Sequence, residues 1–529
     1  MEVSYRGEEV AAAASSAAVR LASGGVPERL AAGDPALWGQ GAEGAAAPRV
    51  PRELLPELAE LAGRARAEGL TNVVLAGAGG AALAAEAICA TADVPLTVLD
   101  TTDPGQVRRA LADRLDATVV VVTGGEGPAV EQDSLLRVYD ALFRDAGLAP
   151  GGRIVVVAGT RSPLAVAAVG GGHRVVREVV HEDVPGRALS ASALVPAALA
   201  GADVERLLRD AADVLPLLAS AEGNPGLALG AALGGAALAG RDKLLLDDRL
   251  SASSGLPEWI EQLVAGFTGK QGRGILPVVG ADRNDTRDEL VVAIESDDGD
   301  VRVDGPLGAQ FLVWEYAAAV AAHLLGVAPL ARPDAAEPEG STAALLALPV
   351  LPTGAPALVD GPVEVHGPVT AKDLPGVFAE LLHAVPDDGY LAITAYLDRL
   401  AAFDAPVPEG ADFEQMTDAW LAADAATLRP LLALRTDRPV TFGWGARSLH
   451  ATGQYHKGGP QNGVFLQITG AVDDDVPVPG RPYTLGGLQL AGALGELQAL
   501  ETRGRPVVRL HLTDRAAGVA RLLAAAQEA

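Results

Sequence analysis

The sequence predicts an α/β protein with two tandem domains, each built on a doubly wound parallel sheet. Short runs rich in Val, Leu and Ile recur along the chain, and segments with helical patterns separate them. This alternation is typical of βα repeats, in which consecutive strands lie parallel. With 529 residues and 49% hydrophobic residues, the chain is long enough for two or three domains.

The first domain is predicted over 57–205, after an N-terminal helical or irregular region over 1–56. It begins with a helix near 57–68, and β-branched runs separated by helical patterns follow. These runs lie at 72–76, 96–100, 117–122, 153–158 and 174–180. Five parallel strands of this kind make one complete sheet.

A helical connection over 206–240 is predicted to lead into a second domain over 241–529, which ends in a C-terminal helix. The strand-like runs of this domain lie at 243–246, 274–279, 289–294, 390–394 and 439–442. The stretch 331–340 is rich in proline and acidic residues. It predicts an exposed loop inserted near 330–342.

Charge and hydropathy exclude several classes of function. The 41 basic residues face 68 acidic ones, and the net charge of −27 argues against nucleic acid and anionic membranes as partners. The uncharged runs that reach the roughly 18 to 20 residues that span a bilayer, 223–240 and 340–359, are interrupted by glycine and proline, so we expect no membrane-spanning helix. The N-terminus lacks a basic segment followed by an apolar one, and Cys89 is the single cysteine. We therefore expect a cytoplasmic protein.

The run 259–270 is the first that bears on function. Its apolar residues Trp259, Leu263 and Val264 lie on one face of a predicted helix that ends at Gly269. A strand is predicted directly afterwards. A helix end beside the end of a parallel strand is a place where α/β proteins carry chemistry.

Four stretches carry a resemblance to a known family: 259–270, 449–460, 463–470 and 507–512. Together they resemble the glucose-6-phosphate isomerases. The resemblance is strongest to the bacterial form that occurs fused to transaldolase or alone. The resemblance extends from about Leu75 to the C-terminus. It implies sugar-isomerase (SIS) domains with flavodoxin-like sheets, and interconversion of glucose 6-phosphate and fructose 6-phosphate in glycolysis and gluconeogenesis.

The resemblance also implies that the catalytic base is missing. In the family, the helix end carries a glutamate that moves a proton between C1 and C2, followed by a serine. Here these positions are Gly266 and Phe267. Glu261 lies five residues earlier and is rotated by about 140° on the helix, so it is no simple replacement. We therefore expect isomerase activity to be lost or strongly reduced.

A glycine-rich turn at 77–83 is the first candidate for ligand binding. It leaves a predicted strand and enters a helix, a geometry in which the backbone N–H groups of Gly79 and Gly80 can approach an anion. The resemblance implies two serines in this turn that hold the substrate. Ala81 and Ala82 replace them. A purely structural tight turn is the alternative interpretation.

A second loop, at 124–129, aligns with the family's phosphate loop of the type Ser-Lys-Ser-Gly-Gly-Thr. Gly127 is a candidate substrate contact, but the six positions contain no hydroxyl. Glu126 adds a negative charge, and Ala129 stands at the position of the last hydroxyl. Phosphate binding should be weakened, because each charge-assisted hydrogen bond contributes about 1.5 to 3 kcal/mol. An ordinary surface turn is the alternative.

Two candidate catalytic residues remain. By the resemblance, Arg187 stabilises the enediolate-like transition state as a fixed cation, unless it points into solvent. His450 corresponds to the histidine that opens the sugar ring, normally supplied across a dimer interface. Gln454, His456 and Lys457 are expected to line the same pocket. We expect no cofactor, and no metal at His450 and His456.

Three hypotheses follow. The leading one is an isomerase relative, a homodimer, without significant activity, that binds a sugar phosphate and associates with enzymes of sugar-phosphate metabolism. A second is a working isomerase with a relocated base, for which Glu131 and Asp133 are candidates. A third is an SIS-type protein that binds an unphosphorylated or differently charged sugar, as Glu126 in the former phosphate loop suggests.

Overall fold

The structure is a computed structural model in which 1–39, 47–112, 114–125, 129–178, 187–247, 251–280, 286–331, 336–407, 410–448 and 452–529 are described. Its strands, in chain order, are β1 (Glu2–Tyr5), β2 (Asn72–Ala76), β3 (Thr97–Leu99), β4 (Thr118–Thr123), β5 (Ile154–Ala158), β6 (Arg174–Arg177), β7 (Lys243–Asp247), β8 (Leu276–Val279), β9 (Glu289–Ile294), β10 (Val301–Asp304), β11 (Leu358–Asp360), β12 (Val363–His366), β13 (Tyr390–Tyr396), β14 (Val440–Trp444), β15 (Gly463–Gly470) and β16 (Val507–Leu512).

The α-helices are α1 (Glu8–Ser23), α2 (Val26–Ala31), α3 (Pro35–Trp38), α4 (Leu55–Ala67), α5 (Gly80–Thr91), α6 (Pro104–Ala112), α7 (Val130–Asp145), α8 (Pro163–Gly171), α9 (Ala191–Ala200), α10 (Val204–Val214), α11 (Pro225–Leu238), α12 (Leu256–Thr268), α13 (Leu307–Leu325), α14 (Ala336–Leu346), α15 (Leu374–Ala384), α16 (Phe413–Ala423), α17 (Leu428–Ala433), α18 (Gly445–Ser448), α19 (Thr452–Gly458), α20 (Leu485–Thr502) and α21 (Arg515–Glu528). No helix among the described residues is long and apolar enough to cross a bilayer.

The first sheet confirms the fold class that the sequence predicts. Its strands are all parallel in the order β3-β2-β4-β5-β6. This is the flavodoxin-like order, in which the winding reverses between the first and third strands, here β2 and β4. Strands β4 and β5 are buried along their whole length, as expected for a parallel sheet with helices on both faces.

The strands after residue 240 form two sheets, whereas the sequence analysis places them in one. The second sheet has the order β1-β10-β9-β7-β8, in which β7 to β10 are parallel and β1 is an antiparallel edge. The third has the order β11-β12-β16-β15-β13-β14. Strand β12 runs antiparallel to both of its neighbours, β11 and β16. Apolar strand runs look alike in either sheet, because tertiary packing and not the local pattern selects their neighbours.

Contacts divide the chain into two compact units that do not follow chain order. The first unit comprises Met1–Asp100, Ala112–Pro333 and His450–Pro460, and holds the first two sheets. The second comprises Thr101–Leu111, Asp334–Leu449 and Gln461–Ala529, and holds the third sheet. The predicted domains over 57–205 and 241–529 are continuous in sequence. The first unit instead includes the segment with α19, which lies among residues of the second unit in sequence. The second unit includes most of α6, which lies among residues of the first.

The inserted loop predicted near 330–342 is wrong over its second half. Residues 332–335 lie outside the described part of the chain, but α14 begins at Ala336. Pro338 lies in the first turn of this helix, where backbone N–H groups have no helical acceptor, so the missing proline N–H costs little. Most of α10 and all of α11 lie in the stretch over 206–240 where a helical connection is predicted.

Candidate functional site

The carboxyl edge of the first sheet contains the predicted glycine-rich turn. Strand β2 ends at Ala76, which pairs with Val122 of β4, so the turn starts at the point where the winding reverses. Gly77 packs so closely there that an added Cβ would lie 2.1 Å from Oγ1 of Thr123. Gly79 has φ +76°, in the left-handed region that favours glycine. The turn then enters α5 at Gly80.

The alanines that replace the expected serines follow this turn inside α5. Ala82 is buried and belongs to the hydrophobic core, and Ala81 packs against the same core while half-buried. The predicted loss of hydroxyl donors at 81 and 82 is therefore accompanied by apolar packing. Backbone N–H groups at the helix start are what this turn can offer to a ligand.

Thr123 supplies a hydroxyl that the sequence analysis missed. It ends β4, is 6% exposed, and its hydroxyl forms no hydrogen bond with a residue that the structure describes. A polar residue directly after four consecutive valines was the available signal. Beyond it, Gly124 packs against Leu164, while Glu126 and Gly127 lie outside the described residues, so the predictions for those two stay open.

The candidate substitute bases lie in the first turn of α7, directly after Ala129. Asp133 is ion-paired with Arg137, with Nε of the arginine 2.8 Å from the carboxylate. Glu131 is half-buried in the same turn. The ion pair makes Asp133 the weaker candidate, because its charge is already neutralised by a neighbour one helical turn away.

Arg187 is buried, so the alternative that it points into solvent is wrong. It precedes α9 and is 7% exposed. Its charge lies close to the carboxylate of Glu315 in α13, and the next residue, Ala188, donates its backbone N–H to Oε1 of Glu315 at 3.0 Å. The Ser190 hydroxyl donates to the Arg187 carbonyl at 3.1 Å. The arginine therefore has a fixed backbone and an acidic neighbour.

Burial dominates the electrostatics of this pair. It lowers the pKa of Arg187 against the attraction of Glu315, although a guanidinium stays protonated in proteins. Burial also raises the pKa of Glu315 to about 7, against the opposing effects of Arg187 and the Ala188 N–H. Sequence reasoning missed Glu315. The signal was an acidic residue alone in the 19-residue apolar run of α13.

The position at which the resemblance implies the base is also buried. Gly266 lies in the last turns of α12, and Phe267 is fully buried with its ring edge-to-face against Trp38, at 6.3 Å between centroids. Because α12 joins the parallel strands β7 and β8, it ends at the edge where these strands begin. Open α/β sheets bind ligands at the opposite, carboxyl edge. The expectation that α12 ends where such a sheet binds ligands is therefore wrong.

Helix α19 packs against the C-terminal half of α12. The Gln454 side chain donates to the Gly269 carbonyl at 3.0 Å, and the Thr452 N–H donates to Oε1 of Gln262 at 3.2 Å. The structure thus brings Gln454 close to the end of the helix that contains Gly266. Gln454, His456 and Lys457 are all buried. His450 lies outside the described residues.

Comparison with known proteins finds curated relatives over part of the chain. No protein-family model matches the chain. A probable glucose-6-phosphate isomerase of Haloarcula marismortui is 35% identical over 228 residues, which are 41% of this chain and 51% of that protein. A second, from Natronomonas pharaonis, is 34% identical over 224 residues, 41% of this chain and 52% of that protein.

Four probable glucose-6-phosphate isomerases, 31–35% identical over part of the chain, support a place for it in the glucose-6-phosphate isomerase family. It spans about half the length of the curated relatives it matches. Among solved structures, a glucose-6-phosphate isomerase from Chlamydia trachomatis is 16% identical, with a TM-score of 0.46, over 55% of this chain and 72% of that one.

The chain has some of the features that the resemblance implies for a sugar-phosphate site and lacks others. It has the glycine-rich turn at the first sheet and a buried arginine at position 187. At the position where the resemblance implies the base, it has a buried glycine that is followed by a packed aromatic ring.

Proposed function

We propose that this member of the glucose-6-phosphate isomerase family binds a sugar phosphate, or a related sugar, and has little or no isomerase activity. The observation that carries the proposal is Gly266, a buried residue without a side chain at the position implied for the base. Aldose–ketose isomerisation requires a group that removes a proton from carbon. Loss of a positioned general base typically lowers the rate by about 10² to 10⁴.

Ligand binding in this proposal involves the carboxyl edge of the first sheet and Arg187. The glycine turn there offers backbone N–H groups, Thr123 offers a hydroxyl, and Arg187 offers a fixed cation. A small molecule with hydroxyl and anionic groups suits such donors. Gly127, His450, His456 and Lys457 remain proposed ligand contacts on the strength of the resemblance.

The proposal extends to the setting of the protein. We propose a cytoplasmic homodimer, because the resemblance implies that His450 acts across a dimer interface. A binding or regulatory role beside enzymes of sugar-phosphate metabolism would not require catalysis.

The test is a coupled assay of fructose 6-phosphate conversion to glucose 6-phosphate with the full chain. Three proteins are compared: the unaltered protein, Gly266→Glu and Gly266→Gln. We expect no detectable rate for the unaltered protein and a gain of about 10²-fold or more over background for Gly266→Glu. The glutamine variant has the same size without a base, so it should stay inactive.

Two results would change this conclusion. A normal rate in the unaltered protein would contradict the loss of activity and direct the search to another base, with Glu131→Gln as the next variant. Equal gains in the glutamate and glutamine variants would show that bulk rather than a base was missing.

A second candidate function is the binding of an unphosphorylated sugar. The apolar replacements Ala81 and Ala82, which pack into or against the core, favour it because they remove two donors for an anion. Calorimetric titration with fructose and with fructose 6-phosphate separates the two functions. Equal affinity for both sugars would support the second.

A further inference from the structure

Glu315 is an acidic residue in the middle of a buried apolar helix. Most residues of helix α13 are apolar, and almost all of them are buried. Moving a carboxylate from water into such a place costs several kcal/mol unless it finds a partner. Its partners here are the Ala188 N–H, at 3.0 Å, and the charge of Arg187.

A second carboxylate binds the same segment at the start of α9. Glu178 follows β6, accepts the backbone N–H of Ser192 at 2.9 Å, and also accepts its hydroxyl at 2.8 Å. Glu178 thereby satisfies free N–H groups at the start of α9. The segment from Arg187 to the start of α9 thus contacts two acidic residues that are far apart in sequence.

We propose that Glu315 is a specificity-determining residue that balances the charge of Arg187 and so sets how strongly the site attracts an anionic sugar. The inference rests on the proposed function, in which Arg187 takes part in ligand binding. An ionised Glu315 leaves Arg187 nearly neutralised, and the site then favours the hydroxyl groups of a sugar. A protonated Glu315 no longer opposes Arg187, so more of the positive charge of Arg187 acts on an anion.

The balance changes near neutral pH. Burial raises the pKa of Glu315 to about 7, so its proton is lost as the pH rises through that value. The other charged groups that act on Arg187 are Glu178, which adds attraction, and Arg49, which adds repulsion. The affinity for an anionic sugar is therefore expected to fall as the pH rises through about 7. Affinity for a neutral sugar should change little.

The experiment measures binding of fructose 6-phosphate and of fructose to the full chain by calorimetry between pH 5.5 and 8.5. The variants are Glu315→Gln, Glu315→Asp and Arg187→Gln. Glu205→Gln is the control, because Glu205 is an exposed acid on α10, with 72% of its side chain accessible. Glutamine at 315 keeps an oxygen that can accept the Ala188 N–H, so this variant is expected to fold.

Loss of the balancing charge should strengthen binding of fructose 6-phosphate by about tenfold to a hundredfold at pH 8, the size of one charge-assisted interaction. The ratio of affinities between Glu315→Gln and the unaltered protein should shrink towards one at pH 5.5. Because the same ligand is used with both proteins, the effect of phosphate protonation on affinity cancels in this ratio. Glu315→Asp and Glu205→Gln should behave like the unaltered protein.

The outcomes distinguish the two proposals. If Arg187→Gln weakens binding but Glu315→Gln gives the same pH profile as the unaltered protein, the role of Glu315 is overturned and the proposed function stands. If neither sugar binds, or Arg187→Gln binds both as well as the unaltered protein does, both proposals are overturned. A pH-independent gain in Glu315→Gln that equals the gain in Glu205→Gln would indicate only a general charge effect and would also overturn this inference.

Discussion

Gly269 lets α12 and α19 pack closely against each other. An added Cβ would lie 2.5 Å from Cα and 2.6 Å from Cβ of Tyr455, and 2.8 Å from the Ala265 carbonyl oxygen. Two of these neighbours are backbone atoms, so no side-chain rotation relieves the clash. The Gly269 carbonyl also accepts the Gln454 amide. A side chain at 269 must therefore move one helix.

We predict that Gly269→Ala lowers the free energy of unfolding by about 1 to 3 kcal/mol, the usual cost of overpacking. The control is Gly63→Ala in α4, where the added Cβ meets no atom within 4 Å. That substitution should stabilise by about 0.5 to 1 kcal/mol, because alanine favours a helix over glycine. Urea unfolding followed by circular dichroism measures both. Equal effects of the two substitutions would contradict the close packing.

For single residues, the sequence predicted which side chains matter better than it predicted their burial and their hydrogen-bond partners. It singled out Arg187 and Gln454, but the burial of both and their bonds to distant elements depend on contacts between residues far apart in the chain. Glu315 and Thr123 were missed because one polar residue in an apolar run resembles an ordinary interruption. Only the structure shows that they face Ala188 and Gly77.

Among the elements, the third sheet has one apolar and one polar face. The polar face, as used here, consists of six residues at alternating positions on β12, β15 and β16: Glu364, His366, Gln467, Thr469, Arg509 and His511. Their neighbours in sequence belong to the apolar core of the second unit. On the polar face, Nδ1 of His511 lies 3.0 Å from the Thr469 hydroxyl, and Arg509 donates to the Thr353 carbonyl at 2.7 Å.

Both histidines of the polar face should make the second unit sensitive to acid. Burial, and then the charge of Arg509, lower the pKa of His366 and of His511 below the usual 6.5, while Glu364 acts in the opposite direction. The unfolded chain therefore binds more protons than the folded one just below pH 6.5. Stability is retained above that pH and is lost as the pH falls.

We predict that His511→Gln makes the free energy of unfolding less dependent on pH between about 5 and 6.5, by up to about 1.4 kcal/mol per pH unit. Hydrogen exchange of the β16 amides across this range measures the effect. His383→Gln is the matched control, since His383 is exposed in the last turn of α15. A slope that is unchanged in His511→Gln would show that His511 does not contribute.

Element prediction succeeded where strands are buried and apolar. Strands β2 and β9 were predicted with their observed bounds, 72–76 and 289–294. Strand β12 was missed because its four residues alternate between valine and ionisable side chains, a pattern too short to distinguish from a loop. Helix α14 was misread because proline and acidic residues, which usually indicate a loop, are also tolerated in a first helical turn.

For the whole molecule, the sequence predicted the class of sheet but not the number of sheets. Nothing in the local pattern of β13 distinguishes it from β9, although the two lie in different units. The sequence also did not predict to which unit α6 and α19 belong, because each lies between strands in sequence like an ordinary crossover helix. Their membership depends on long-range packing.

We predict that replacing 452–458 with a Gly/Ser linker loosens the end of α12, nearly 200 residues earlier in the chain. Hydrogen-exchange protection of the C-terminal α12 amides should fall by about tenfold to a hundredfold, since several hydrogen bonds and the packing of Tyr455 are removed. The same replacement at 413–419 in α16, a helix with no buried residue, is the control. Unchanged α12 protection would contradict the role of α19.

The late position of α19 also affects how the protein is made. The ribosome completes the sheets of the first unit by residue 333 but delivers the segment His450–Pro460 only after 334–449 have been synthesised. At typical rates of translation this delay is on the order of ten seconds. During that time the nascent chain exposes the surface of α12 that Tyr455 later covers. We expect a chaperone that binds apolar surfaces to bind this part of α12 on the growing chain during this interval.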